Sequence, residues 1–152
     1  MNEFHLPENH ELHLKTILAL DFGEKFIGVA TYCVNRDPYP LPYGRIQNNG
    51  ETAVIAELRK IIADESIDLM VIGVPRLTDG KTTKMTAKAV TFVNFIRNQI
   101  TLPVEEQDET LSTFEAGDRM KNSARYNFTV DLKQIDAVAA SVILEDFIRR
   151  KK

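Results

Sequence analysis

Six uncharged residues in succession, Leu69-Met70-Val71-Ile72-Gly73-Val74, closed by Pro75, constrain this chain more than any other feature of it. An alternating pattern marks a strand with one wet face, whereas an unbroken apolar run of this length marks a strand covered on both faces. Such a strand needs layers above and below it. Upstream, Thr16 to Asp21 is a short apolar run ending in an acid, and Phe26 to Val34 is rich in β-formers, with Gly23 and Gly28 framing the turn between them. That pattern predicts a β-hairpin. Pro38, Pro40 and Pro42 punctuate a loop, and Tyr43 to Gln47 is predicted as a third strand near a sheet edge, because proline cannot donate to a ladder.

Helical spacing of Val54, Ile55, Leu58, Ile61 and Ile62 predicts an amphipathic helix from Glu51 to Glu65. A second helix is predicted from about Thr82 to Asn98, with Met85, Ala89, Phe92, Val93 and Ile96 inward and Lys81, Lys84 and Lys88 on another stripe. A strand from Leu102 to Gln107 leads into Asp108 and Glu109. Ser112 and Glu115 have capping-box spacing for a helix to about Lys121, Asn122 to Thr129 reads as a loop, and Asp131 with Gln134 opens a final helix to about Arg150. A hairpin followed by alternating helix and strand implies a mixed sheet with helices on its faces.

Composition narrows the classes. A chain of 152 residues is the size of one domain, here 16–152, preceded by a flexible extension over 1–15. The histidines of that extension, His5, His10 and His13, match no common ligand spacing. No apolar stretch approaches the roughly 20 residues that span a bilayer. The first fifteen residues lack the apolar centre of a secretion signal, and the single Cys33 forms no internal disulfide, so a reducing, cytoplasmic setting is expected. In its apolar run, Cys33 reads as a packed side chain. The net charge of -3 disfavours broad non-specific binding of nucleic acid. Charge is uneven, however: Arg76 to Arg97 holds five bases against one acid, and Glu105 to Asp118 six acids and no base.

Three acidic positions stand out. Asp21 ends a strand expected to be buried, where an acid costs free energy unless solvated, hydrogen-bonded or bound to a cation; a turn aspartate bonding the amides near Gly23 is an equal explanation. Asp108 and Glu109 follow a strand end, where ligand sites of α/β sheets collect, although helix N-termini also favour acids. Asp136 shares a helical stripe with Ala139, Ala140, Ile143 and Phe147, and Asp131 already serves as the cap. If the three converge, their repulsion favours a divalent cation, and oxygen-only donors favour Mg²⁺ or Mn²⁺.

The segments Leu20-Asp21-Phe22-Gly23-Glu24-Lys25-Phe26-Ile27-Gly28-Val29-Ala30, Val71-Ile72-Gly73-Val74-Pro75 with Asp79-Gly80, Asp108-Glu109-Thr110-Leu111-Ser112-Thr113 and Ile135-Asp136-Ala137-Val138-Ala139-Ala140 occur in this order. In them the chain resembles the YqgF or RuvX family, described as Holliday-junction resolvases and as nucleases that mature the precursor of small-subunit ribosomal RNA. The resemblance spans about Thr16 to Arg149. It implies a ribonuclease H-like α/β fold, a mixed sheet with helices on both faces, and metal-ligand and catalytic roles for Asp21, Glu109 and Asp136, with Asp108 as a further metal ligand. Two departures concern cations. Phe26 and Thr110 stand where the family carries arginine, and Ser112 replaces a threonine. Substrate contacts are then expected from Lys25, Arg76, Lys81, Lys84 and Lys88, or from the loop with Lys121 and Arg125.

The resulting expectation is a Mg²⁺- or Mn²⁺-dependent endonuclease acting on structured RNA, the ribosomal RNA precursor, in contact with a ribosomal particle. Branched DNA at a Holliday junction is the alternative substrate. Two other classes compete: a catalytically weak RNA-binding module, suggested by Phe26 and Thr110, and an actin-like ATPase relative, for which the chain is too short.

Overall fold

The computed structural model describes residues 15–77, 79–109 and 112–151; the extension with His5, His10 and His13, and Thr110, lie outside them. In chain order the elements are β1 (Thr16–Asp21), β2 (Phe26–Cys33), β3 (Leu41–Gln47), α1 (Glu51–Glu65), β4 (Leu69–Pro75), α2 (Lys84–Gln99), β5 (Val104–Glu109), α3 (Ser112–Lys121) and α4 (Ile135–Lys151). The sheet order is β3-β2-β1-β4-β5. The first two strands form the expected antiparallel hairpin, while β4 joins β1 in parallel and β5 joins β4 in parallel.

The apolar run becomes β4, an inner strand with residues 69–74 all buried. Its two faces feed two cores. Met70 and Ile72, with Leu18 and Leu20 of β1, pack under α1 and α2 through residues such as Leu58, Phe92 and Val93. Leu69 and Val71, with Ile17 and Ala19, pack under α4 through Ile143, Leu144 and Phe147. Each such fully covered Leu, Ile or Phe contributes about 1.5–3 kcal/mol of transfer free energy, so both helical layers are fastened by burial. The third helix lies on α4 through Ala116 and Met120 against Val138 and Ala139. No helix of the described residues is long and apolar enough to cross a membrane.

Four boundaries differ from the sequence expectation. The last strand runs from Val104 to Glu109, not from Leu102 to Gln107, because it pairs continuously with β4 from Met70↔Val104 to Pro75↔Glu109. Its polar residues are tolerated on an edge strand, where one side of the ladder is open to water. In α2 the buried position belongs to Thr86 and Met85 is only half-buried. Thr83 caps the helix reciprocally with Thr86, whose hydroxyl also donates to the Pro75 carbonyl; that pairing starts the helix after Thr82.

The third strand begins at Leu41 and includes Pro42. Finally, α4 starts at Ile135: Asp131 accepts from the Lys133 amide and the Gln134 side chain, shaping a turn ahead of the helix, so Asp136 falls in the first turn. The capping box expected at Ser112 and Glu115 falls on side chains outside those described.

Candidate active site

Alternation along β1 decides where Asp21 points. Ile17 and Ala19 face α4, and two residues on so does Asp21, while Phe22 joins Leu18 and Leu20 on the opposite side. In register with Asp21 stand Gly28 on β2 and Gly73 on β4. Both glycines are required for space. A Cβ on Gly28 would lie 1.9 Å from the carbonyl oxygen of Asp136, and one on Gly73 would lie 2.4 Å from Cδ1 of Ile143. The first and third turns of α4 therefore rest directly on the backbone of the strands flanking β1. This contact carries Asp136 to Asp21.

The two carboxyls meet in a poorly solvated corner. Burial first, and the Asp136 charge in addition, together push the Asp21 carboxyl up to about 7. Burial likewise raises Asp136, and the positive charge of Arg45 works against that rise. Arg45, on β3, has Nη1 3.8 Å from Asp136 Oδ2 and donates to the Leu132 carbonyl at 3.4 Å. Its guanidinium lies over the ring of Phe26, with Cζ 3.7 Å from the centroid. A buried acid whose ionisation a second acid makes costlier still is a position suited to a cation.

Because Asp108 and Glu109 lie inside β5 and not after it, their side chains go to opposite faces. Glu109 is buried, 8% exposed, and takes the α4 face. Asp108 takes the α2 face with Val104, where it is 68% exposed and paired with Arg76, Nε to Oδ1 2.9 Å. The structure thus brings Asp21 and Asp136 together, sets Glu109 on the same face two strands away, and directs Asp108 and Arg76 toward each other on the other face. Among the described residues no three acidic, histidine or cysteine side chains are close enough to hold one ion.

A donor missed in the sequence lies in the same row as Asp21, beyond Gly73. Gln107 is in register with Gly73, its Nε2 donates to the Asp108 carbonyl, and its buried Oε1 has no hydrogen-bond partner among the described residues. A strand read through to Glu109 would have placed it on this face. Arg45 was also missed, although it is the single base of β3.

The expected substrate cations stand at the same end of the sheet but across it. Lys88 pairs with Glu24 at 2.9 Å, Lys81 approaches Asp79 at 3.8 Å, and Lys84 and Lys25 are exposed. Since α2 covers the α1 side, the lysine stripe is separated from Asp21 and Asp136 by the sheet edge.

The sequence profile of RuvX, described as Holliday junction resolvase, matches residues 15–150. A relative from Maridesulfovibrio salexigens named "Putative pre-16S rRNA nuclease" is 31% identical over 137 residues, 88% of this chain and 98% of its own. Relatives with the same name from Pseudomonas putida and Glaesserella parasuis are 33% and 34% identical, covering 89% and 90% of this chain and 95% and 98% of theirs. The RuvC structure of Thermus thermophilus superposes with a TM-score of 0.53 at 10% identity, over 89% of this chain and 96% of that one. Its complex with a Holliday junction substrate gives 0.55 at 10% identity, over 90% and 96%. At that identity the likeness establishes the fold, the ribonuclease H-like mixed sheet expected from the sequence.

Proposed function

This chain belongs to the RuvX family, and on that premise we propose that it is a divalent-metal-dependent endonuclease cutting phosphodiester bonds in structured nucleic acid, with the 16S ribosomal RNA precursor as substrate. The observation that carries the reading is the Asp21–Asp136 pair: two acids held together under α4, with Asp21 raised to about 7 by burial and by its partner. Such a pair is costly without a cation and oxygen-rich enough to suit a hard one. Asp21 and Asp136 would hold Mg²⁺ or Mn²⁺, with Glu109 and the orphaned Gln107 oxygen on the same face as further donors. A bound ion supplies charge neutralisation at the phosphate and activation of water.

The relatives' name supports RNA over branched DNA. A cytoplasmic location agrees with the single, half-buried thiol of Cys33. Lys81, Lys84 and Lys88 would take the flanking strand as it crosses the sheet edge. Replacing all three with Gln is expected to weaken RNA binding and to reduce the slope of log affinity against log salt by about 1–2, since single strands lose roughly 0.7 per phosphate contact. An unchanged slope removes this stripe from the interface.

The reading is tested by single-turnover cleavage of a structured rRNA precursor and of a four-way DNA junction, each with and without Mn²⁺. Wild type should cut the RNA only with metal, and Asp136→Asn should slow cleavage at least about a hundredfold, the scale of one lost electrostatic contact to the transition state. Junction cleavage in preference to RNA moves the substrate to DNA. No cleavage of either, with RNA and Mn²⁺ binding confirmed, overturns the enzyme in favour of a binding module.

A further inference from the structure

Beside the Asp21–Asp136 pair the structure places a cation, Arg45, over an aromatic ring, that of Phe26. The guanidinium of Arg45 lies on the Phe26 ring and reaches Asp136 at 3.8 Å. We propose that Arg45 is the phosphate-gripping residue of this site, delivered from β3 and seated over the Phe26 ring, so that it contacts the substrate backbone beside the Asp21–Asp136 pair. The proposal rests on the nuclease reading above and adds a residue that none of the sequence motifs contains.

Register explains how β3 delivers it. From Phe26↔Gln47 to Val29↔Gly44 the two strands pair in one register, and from Ala30↔Pro42 onward in another, which leaves Tyr43 as an inserted residue. Without that bulge the register of Ala30↔Pro42 would continue, pairing Gly28 with Gly44 and Ile27 with Arg45. Ile27 belongs to the core under α1 and α2. A one-residue slip turns every side chain to the other face, so Arg45 would then point away from the carboxylates. The bulge sets Arg45 opposite Gly28, the residue on which the Asp136 backbone rests. Phe26 is its diagonal neighbour across the strands, within reach of a long side chain.

The contacts suit an exchangeable cation. Arg45 is 30% exposed, its approach to Asp136 is longer than a well-formed ion-pair hydrogen bond, and its one side-chain hydrogen bond among the described residues, to the Leu132 carbonyl, is 3.4 Å. A guanidinium over an aromatic face can leave the N–H donors at its edge available for bidentate contact with phosphate. Were Asp136 to hold a divalent ion, Arg45 would lose that partner. An anionic phosphate would then be the partner its donors call for.

RNA binding by fluorescence anisotropy, with Ca²⁺ on the oxygen donors and separately in EDTA, tests this with Arg45→Gln and Arg45→Lys. With Ca²⁺, Arg45→Gln should bind roughly five- to tenfold more weakly, with a salt slope smaller by about 0.7, the loss of one single-strand phosphate contact. In EDTA the difference should shrink, since Arg45 is then engaged with Asp136. Affinity for Mn²⁺ without RNA should be unchanged or tighter in Arg45→Gln, because a competitor for Asp136 is gone. Arg45→Lys should keep most of the slope but lose the rate of single-turnover cleavage with Mn²⁺, lacking the planar fork.

Equal affinity and slope for wild type and Arg45→Gln with Ca²⁺ would reduce Arg45 to a neutraliser of Asp136 and overturn the proposal. If Arg45→Gln does not fold, Arg45→Lys decides: a wild-type cleavage rate overturns the stacked fork. A reduced slope in Arg45→Gln alongside a wild type that never cleaves keeps the phosphate contact and overturns only the nuclease reading.

Discussion

Gly28→Ala is expected to destabilise the protein by about 1–3 kcal/mol or more, as overpacking does, and to slow cleavage roughly a hundredfold even where the fold survives. The new Cβ would sit 1.9 Å from the Asp136 carbonyl oxygen, 2.4 Å from its carbon and 3.1 Å from its Cα. These are backbone atoms, which cannot rotate aside. Relief requires α4 to lift from β2, yet Ile143, Leu144 and Phe147 hold the same helix on the sheet. The lift therefore falls on the first turn, which carries Asp136, and misplacement of a reacting group by about 1 Å is enough for a loss of that size. Gly44→Ala is the control: nothing lies within 4 Å of its Cβ, so stability should change by no more than about 0.5 kcal/mol. Thermal melts and single-turnover rates of both variants decide the matter, and a stable Gly28→Ala with wild-type rate would mean that this contact does not place Asp136.

The Gly28 contact also marks where sequence reading stops. Elements whose pattern reflects burial were legible: Leu69 to Val74 is an inner strand, and α1 begins and ends where its periodicity does. Strand β5 was misplaced by two residues because Glu105 to Glu109 shows no apolar alternation, and an edge strand needs little; the ladder with β4, a long-range contact, sets its end. That shift decided the site. Read as a loop, Asp108 and Glu109 were both expected as metal ligands, whereas in a strand only Glu109 shares the face of Asp21, and Asp108 goes to Arg76.

The spacing of Asp131 and Gln134 signalled α4 correctly in kind but lies in the turn before it, so Asp136 occupies a first turn where the helix dipole itself favours an acid. Arg45 was invisible for a different reason. Its face depends on one bulged residue, Tyr43, and no local pattern in Leu41 to Gln47 reports which neighbour each residue will meet.

Asp21→Asn is expected to abolish cleavage, by roughly a thousandfold or more, while making the metal-free protein more stable at neutral and alkaline pH. The Asp21 carboxyl titrates at about 7 in the folded chain against an ordinary 3.8, chiefly through burial and then through the charge of Asp136. Between those values the folded state keeps a proton that the unfolded state has released. The protonated group's contribution to stability is therefore complete below 3.8, and it is lost progressively as pH rises toward 7. Asparagine keeps the shape and has no proton to lose. The stability advantage of the variant over wild type, read from urea melts in EDTA, should widen by roughly 2–3 kcal/mol between pH 5 and pH 8.

Mn²⁺ should narrow that advantage at pH 8. An ion at a hundred times its dissociation constant stabilises the wild type by about 2.7 kcal/mol through mass action, and the variant, with one ligand fewer, gains less. A variant that follows the wild-type pH profile would show that Asp21 ionises freely in the fold. One that retains the full Mn²⁺ stabilisation would place the ion elsewhere and leave Asp21 as a turn residue hydrogen-bonded near Gly23.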